Sequence, residues 1–204
     1  MATYTAIADV SETLVALLRD QFAARDDVFS MGGESVSLVA PDAVDEESET
    51  RLSVSLYRIE ENASMKNTDL AHAAGDPTVS QEPPLALDLY YLVTAYPGGG
   101  SDDETAATVE QQRVLGLAMQ TFHDNAVLSD DQLTGSLDPD VDLQISLVST
   151  SVDELTGLWS TVPEAAFQPS AVYHVGPVLI DSRQREEVTP VTDRETTVDR
   201  TPER

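Results

Sequence analysis

Pro83-Pro84-Leu85-Ala86-Leu87-Asp88-Leu89-Tyr90-Tyr91-Leu92-Val93-Thr94-Ala95-Tyr96 is the stretch on which the reading of this chain turns. Leu85, Leu87, Leu89, Tyr91 and Val93 fall on every second position, the period of a strand with one face on a core. The two prolines close the segment before it. Tyr90, Tyr91 and Tyr96 are half of the six tyrosines and crowd both faces of the strand. Such amphipathic aromatics suit protein interfaces as well as cores. The Leu85/Leu87/Leu89/Tyr91 face is expected to be core, and the Asp88/Tyr90 face to meet a helix or a neighbouring subunit.

Upstream of this strand, Ala6 to Ala24 reads as an amphipathic helix through Ile7, Val10, Leu14, Leu17, Leu18 and Phe22. Met31-Gly32-Gly33 is a turn, Ser35 to Ala40 a short strand, and the acidic Pro41 to Thr50 a solvated loop. Arg51 to Ile59 alternates as a second strong strand with Leu52, Val54 and Leu56 on one face. Glu60 to Pro84 is expected to be a long polar loop, a length that in compact domains points to a binding role or a disordered middle.

Downstream, Pro97 to Asp103 is a glycine-rich connection and Glu104 to His123 a helix. Val141 to Ser149 alternates as a strand, and Ser151-Val152-Asp153-Glu154 is a capping box opening a short helix with Leu155, Leu158 and Trp159. Pro169 to Asp181 is the last strand. From Ser182 the apolar period stops, and five Arg face six acids. The expected division is therefore a folded domain over 1–181 and a disordered or partner-docked tail over 182–204. Helices and strands alternate irregularly, which predicts an α+β fold: a mixed, largely antiparallel sheet flanked by helices.

The 204 residues suffice for one domain with a sizeable core. Acidic residues number 37 against 11 Lys and Arg, a formal charge of −26. That balance excludes non-specific nucleic-acid binding and attraction to an anionic membrane, both of which need clustered cations. Yet 41% of the residues are hydrophobic, so the chain is not a disordered polyanion. A solvated surface made almost wholly of carboxylates suits a halophilic source, a haloarchaeal one, because molar salt shortens the Debye length to about 3 Å and screens self-repulsion. No apolar run approaches the length of a membrane span and Met1-Ala2-Thr3-Tyr4 has no basic n-region, so assembly in the cytoplasm is expected; there is no Cys, so disulfides and thiolate chemistry are absent.

The motifs that could carry chemistry are weak. His72, His123 and His174 lie about fifty residues apart with no metal-ligand spacing. Asp138-Pro139-Asp140-Val141-Asp142 starts like a calcium loop, but Leu143 stands where the turn needs Gly and Ser149 where the loop needs Glu. Gly98-Gly99-Gly100-Ser101 lacks the Lys of a phosphate loop, and Gly33-Glu34-Ser35-Val36-Ser37 lacks the second Gly of a nucleophile elbow. No catalytic residue, cofactor or metal is expected, and an enzyme is the last reading.

A resemblance adds to this. Leu56-Tyr57-Arg58-Ile59 with Asn62 and Asn67, the block from Pro83 to Tyr96, Leu115-Gly116-Leu117-Ala118-Met119 with His123, Leu155 to Trp159, and Tyr173-His174-Val175 leading to Ile180-Asp181 together resemble the tail-terminator, or cap, proteins of contractile injection systems. These systems are phage-tail-like particles, and the resemblance runs over residues 4–182 in the family's order. It implies a tail-terminator-like fold and structural work: a homo-hexameric ring that ends tube and sheath polymerisation away from the baseplate, in a particle released extracellularly. Inner tube and sheath proteins would be its partners. Tyr57, Arg58, Asp88, Tyr90, Tyr96, Trp159 and Tyr173 are the expected interface residues. The alternative is an adaptor linking a cargo or baseplate component to the same particle.

Overall fold

The structure, a computed structural model, describes residues 3–25, 33–45, 48–65, 71–72, 79–98, 103–129, 132–162 and 165–187. Met31, Gly32, Lys66, Asn67, Gly75, Gly99 to Asp102 and the tail from 188 onward lie outside them. In chain order the elements are α1 (Ala6–Ala23), β1 (Val36–Ser37), β2 (Leu52–Glu61), β3 (Ala71–His72), β4 (Val79–Gln81), β5 (Leu85–Ala95), α2 (Glu104–Asp124), β6 (Val127–Leu128), β7 (Leu143–Leu147), α3 (Val152–Ser160), β8 (Ser170–Ile180) and β9 (Arg185–Glu187). Short 3-10 turns at Gly33–Ser35 and Pro41–Ala43 flank β1.

Six strands form one sheet in the order β1-β2-β5-β8-β7-β6, with every pairing antiparallel except that of β1 with β2. The architecture is therefore α+β with a mixed, largely antiparallel sheet. β5 is central because both its neighbours are long: it pairs with β2 from Leu52↔Ala95 to Glu61↔Leu87, and with β8 from Leu85↔Ile180 to Thr94↔Ser170.

α1 and α2 cover one face, called inner here. Val10, Leu14, Leu18 and Phe22 of α1 and Val114, Leu117, Ala118 and Phe122 of α2 join Val54, Leu89, Tyr91, Val93, Tyr173, Val175 and Ile145 in one buried cluster. The Tyr91 hydroxyl finds Ser11 Oγ at 2.8 Å, and Phe122 meets Tyr173 edge-on with ring centres 4.8 Å apart. Burial pushes both tyrosine phenols up to about 12; for Tyr91 the Ser11 bond opposes the rise. Two polar devices hold the helices, one fixing α2 to β5 and one fixing α1 to the loop between β6 and β7. Gln111 of α2 donates to Ala95 O and to Gln168 Oε1, both at 2.7 Å. Asp9 of α1 accepts from Ser136 N at 2.9 Å, Ser136 Oγ at 2.8 Å and Thr5 Oγ1 at 2.9 Å. Burial pulls the Asp9 carboxyl up, but these donors outweigh it and hold it below the ordinary value. The loop can approach because Gly135 takes φ +74°; a Cβ there would overlap the Asp9 carboxylate.

The opposite, outer face is covered by α3 alone among the described helices, and only at one end. Leu92, Val172 and Trp159 are buried together, with Val148, Leu155 and Leu158 against them. Ser151 opens α3 as a complete capping box: Glu154 N donates to Ser151 Oγ, and Ser151 N donates to Glu154 Oε2.

Four sequence expectations change. The strand foreseen over Ser35 to Ala40 shrinks to Val36–Ser37, since the turn at Pro41 takes the chain off the sheet edge. Val141 and Asp142 precede β7 in a turn in which Asp140 N donates to Asp138 Oδ1 at 3.1 Å and Val141 N to Asp138 O at 3.1 Å. The long loop after Ile59 is interrupted: β2 runs on to Glu61, and β3 and β4 form a second, three-stranded sheet in the order β3-β4-β9. β9 lies past the compositional boundary at Ser182. Leu85, assigned to the core face, is 47% exposed, because β5 begins beyond the helices that cover its later residues.

Candidate contact surface

On the outer face, beyond the end that α3 covers, four strands each place one side chain in a single cross-strand row. Arg58 of β2 pairs with Tyr90 of β5, Tyr90 with His174 of β8, and His174 with Ser146 of β7. Neighbours this close across a sheet touch. The Arg58 guanidinium stands 4.6 Å over the Tyr90 ring, the Tyr90 and His174 rings are 5.3 Å apart, and Ser146 Oγ is 3.4 Å from His174 Nδ1.

Two irregularities shape the row. β2 carries an extra residue at Tyr57, between the pairs Leu56↔Tyr91 and Arg58↔Tyr90, so the Tyr57 ring leans to 6.5 Å from Tyr90. β8 carries an extra stretch opposite Asp88, at the cis Gly176–Pro177 bond, since Leu87 pairs with Val178 and Leu89 with Val175. Asp88 leans into that space. Its Oδ1 lies 2.9 Å from His174 Nε2 and accepts from Asn62 Nδ2 at 3.0 Å. A Cβ at Gly176 would stand 2.6 Å from the same oxygen, so a side chain there must push the Asp88 carboxylate aside.

The electrostatics are local. Arg58 pairs with Glu60 two residues on, and the hydrogen bond to Glu60 raises the Arg58 pKa further. Burial first, and then the Glu60 carboxylate, raise the Tyr90 phenol; burial raises Tyr57, with Arg58 opposing. A cation stacked on the Tyr90 ring, half exposed in a carboxylate-rich body, has the composition of an interface hot spot.

Of the seven expected interface residues, Tyr57, Arg58, Asp88 and Tyr90 come together here. Tyr96, Trp159 and Tyr173 do not: all three are buried within the chain. The Tyr96 hydroxyl meets Ser53 Oγ at 3.1 Å, Trp159 lies under α3 against the sheet, and Tyr173 faces α2. His174 is the member that sequence reasoning missed. Alternation puts it on the face opposite Tyr173, but only the register places it beside Tyr90. His123 lies in α2, and the side chain of His72 falls outside the described residues. Among the described residues no group of three or more His, Asp or Glu could hold a metal ion, and no helix is long and apolar enough to cross a membrane.

The chain is thus an α+β protein whose largely antiparallel sheet is sealed by two helices on one face and leaves an aromatic row open on the other. Residues 9–194 match the Pvc16 N-terminal domain family, and the chain belongs to that family. The fold is similar to that of the sheath/tube terminator of an extracellular contractile injection system, PVC, in its extended state, with TM-score 0.65 and 18% identity over 99% of this chain. This chain covers 66% of that one, just under two thirds of its length. A weaker likeness, TM-score 0.44 and 21% identity over 72% of this chain and 48% of the other, is to the tube-terminating cap of the anti-feeding prophage. None of the curated proteins compared by sequence matches.

Proposed function

We propose that this chain is a structural cap, the tube and sheath terminator of an extracellular contractile injection system. The observation that carries the reading is the family match over residues 9–194, supported by a shared fold with a sheath/tube terminator over nearly the whole chain. The work is mechanical and not enzymatic. A terminator matches the growing end of a helical polymer on one surface and offers no matching surface on the other, so contacts that would extend helically are closed into a ring. The ring is a homo-hexamer. It docks on inner tube and sheath proteins at the end distal to the baseplate, is assembled in the cytoplasm and leaves as part of the particle. Residues 1–181 form the cap domain; of the following tail, Arg185–Glu187 pairs with β4 of the same chain, and the remainder is disordered or docked on a partner.

The sealed inner face supplies the rigid body and the Tyr57–Arg58–Asp88–Tyr90 row supplies a contact surface. The charge of −26 supports reading the source as halophilic, a haloarchaeal one. That reading predicts loss of secondary structure as salt falls from molar to about 0.1 M, where screening reaches only about 10 Å; equal melting temperatures at both salts would refute it.

The functional test is polymerisation of tube and sheath in the presence of purified chain. Capped ends and arrested growth are expected. Growth that is unaffected, with the chain found on a baseplate or cargo component instead, would select an adaptor.

A further inference from the structure

The six-stranded sheet is open at both lateral edges among the described residues. At one end β1 pairs with only Leu52 and Ser53, so no described strand pairs with Ile59 on that side. Tyr96 N donates to Arg51 O and Asn62 N to Ala86 O, which fixes the phase of the β2–β5 ladder on each side of the bulge. By alternation Arg58 and Glu60 turn their backbone groups to β5, while those of Ile59 point outward. At the other end β6 pairs with only Leu143 and Gln144, and Ala126 O takes the Ile145 amide. Val148 N donates to Val172 O on β8, so the backbone of Leu147 points outward, past the end of β6.

Each edge carries exposed apolar side chains. Ile59 is 46% exposed and Tyr57 37% at the β2 edge; Leu147 is 55% exposed and Val127 50% at the β6–β7 edge. Beside Leu147, between β7 and the end of α2, lies a groove of about 590 Å³ walled by Met119, Phe122, Ala126, Ile145 and Tyr173. The faces match as well. Ile59 pairs with Leu89, and Ile145 with Val175, both inner-face residues, so Ile59 and this groove lie on the same face of the sheet.

We propose that successive copies of this chain meet edge to edge: the β2 edge of one copy joins the β7 edge of the next, and Ile59 enters the groove beside Leu147. The inference rests on the ring proposed above and names its subunit contact. The two surfaces are different and lie at opposite ends of one sheet, so the contact is head-to-tail, the kind that closes a ring when the rotation permits. It also suits a chain this acidic. Two copies repel through their carboxylates, whereas backbone pairing and an apolar side chain in an apolar groove need no complementary charge.

Because the chain contains no Cys, the contact can be read by placing thiols. A chain carrying both Ile59→Cys and Leu147→Cys, treated with a short bis-maleimide in molar salt, is expected to give a ladder of covalent oligomers ending at the ring. Either single variant is expected to stay monomeric on a denaturing gel, and a mixture of the two single variants to stop at dimers. Unchanged circular dichroism and melting check that the variants fold. Ile59→Asp, at an exposed position, should abolish the ring in sedimentation without altering the melting of the monomer. Dimers from one single variant would mean a two-fold contact and overturn the proposal. So would cross-links made only to tube or sheath subunits in assembled particles, or a chain that sediments as a ring yet fails to cross-link. Sedimentation of the unsubstituted chain separates the two levels: a monomer there, with no ring on tube ends by electron microscopy, withdraws the ring and the edge contact with it.

Discussion

Tyr90 and Tyr91 are adjacent in the chain and belong to different parts of its physics. Tyr91 points into the cluster sealed by α1 and α2, is fully buried and bonds to Ser11. Tyr90 points to the outer face, where it stacks under Arg58 and beside His174 with solvent on the remaining side. One residue of register separates a side chain that holds the subunit together from one free to meet something else. The inner face is closed by two helices of 18 and 21 residues, the outer by one of 9, and this inequality leaves the aromatic row open.

The sharpest way to break this comparison is to truncate both tyrosines. Tyr91→Ala removes a buried ring and its bond to the Ser11 hydroxyl, which keeps its bond to Ile7 O, and should cost about 3–5 kcal/mol in denaturant unfolding. Tyr90→Ala should cost the isolated chain under about 1 kcal/mol while weakening assembly. Equal losses of subunit stability would mean that the two faces are equally core.

A pH titration sharpens the same contrast. The Tyr91 and Tyr173 phenols stand near 12 against an ordinary 10.0, so their neutral forms are the ones the fold stabilises. A raised folded pKa means that this stability is fully present below about 10 and is lost as pH rises towards 12. Ultraviolet titration of the tyrosines should show these two ionising last, together with unfolding. Ionisation of all tyrosines before unfolding would contradict the sealed inner face.

At acid pH the sign reverses. The Asp9 carboxyl is held below its ordinary value, so its contribution is present above about 4 and is lost as pH falls through the folded value. Asp9→Ala strands the Ser136 amide and should cost about 1–3 kcal/mol at neutral pH, flattening the acid limb of the stability profile. An unchanged acid limb would remove Asp9 from the account.

The smallest expected effect is on the outer face. Gly176→Ala places a methyl against Asp88 Oδ1 and should push that carboxylate away from His174, costing on the order of 1 kcal/mol. The His174 proton signals in NMR should move more than any inner-face resonance. Changes confined to the inner core would show that the row is not coupled as described.

How much of this was legible depended on whether the signal was local. α1, α2 and β5 announce themselves by apolar period, and α3 by its capping box, because these are written within a few residues. The contact row is not, since it is assembled by register across four strands. Alternation divides Tyr90 from Tyr91 but does not say which face a helix will cover, so Tyr96, Trp159 and Tyr173 were grouped with Tyr90 although packing buries them. His174 is silent in the sequence for the same reason. Tyr57 joins Tyr90 only because β2 gains a residue there, and no turn residue marks that bulge.

The central claim is that this chain ends a polymer. The most direct measurement is the length distribution of particles assembled in cells with and without its gene, read by electron microscopy. The account predicts tubes of one length with defined ends when the chain is present, and tubes of scattered length with uncapped ends when it is absent. Particles of normal, uniform length without the chain would contradict it.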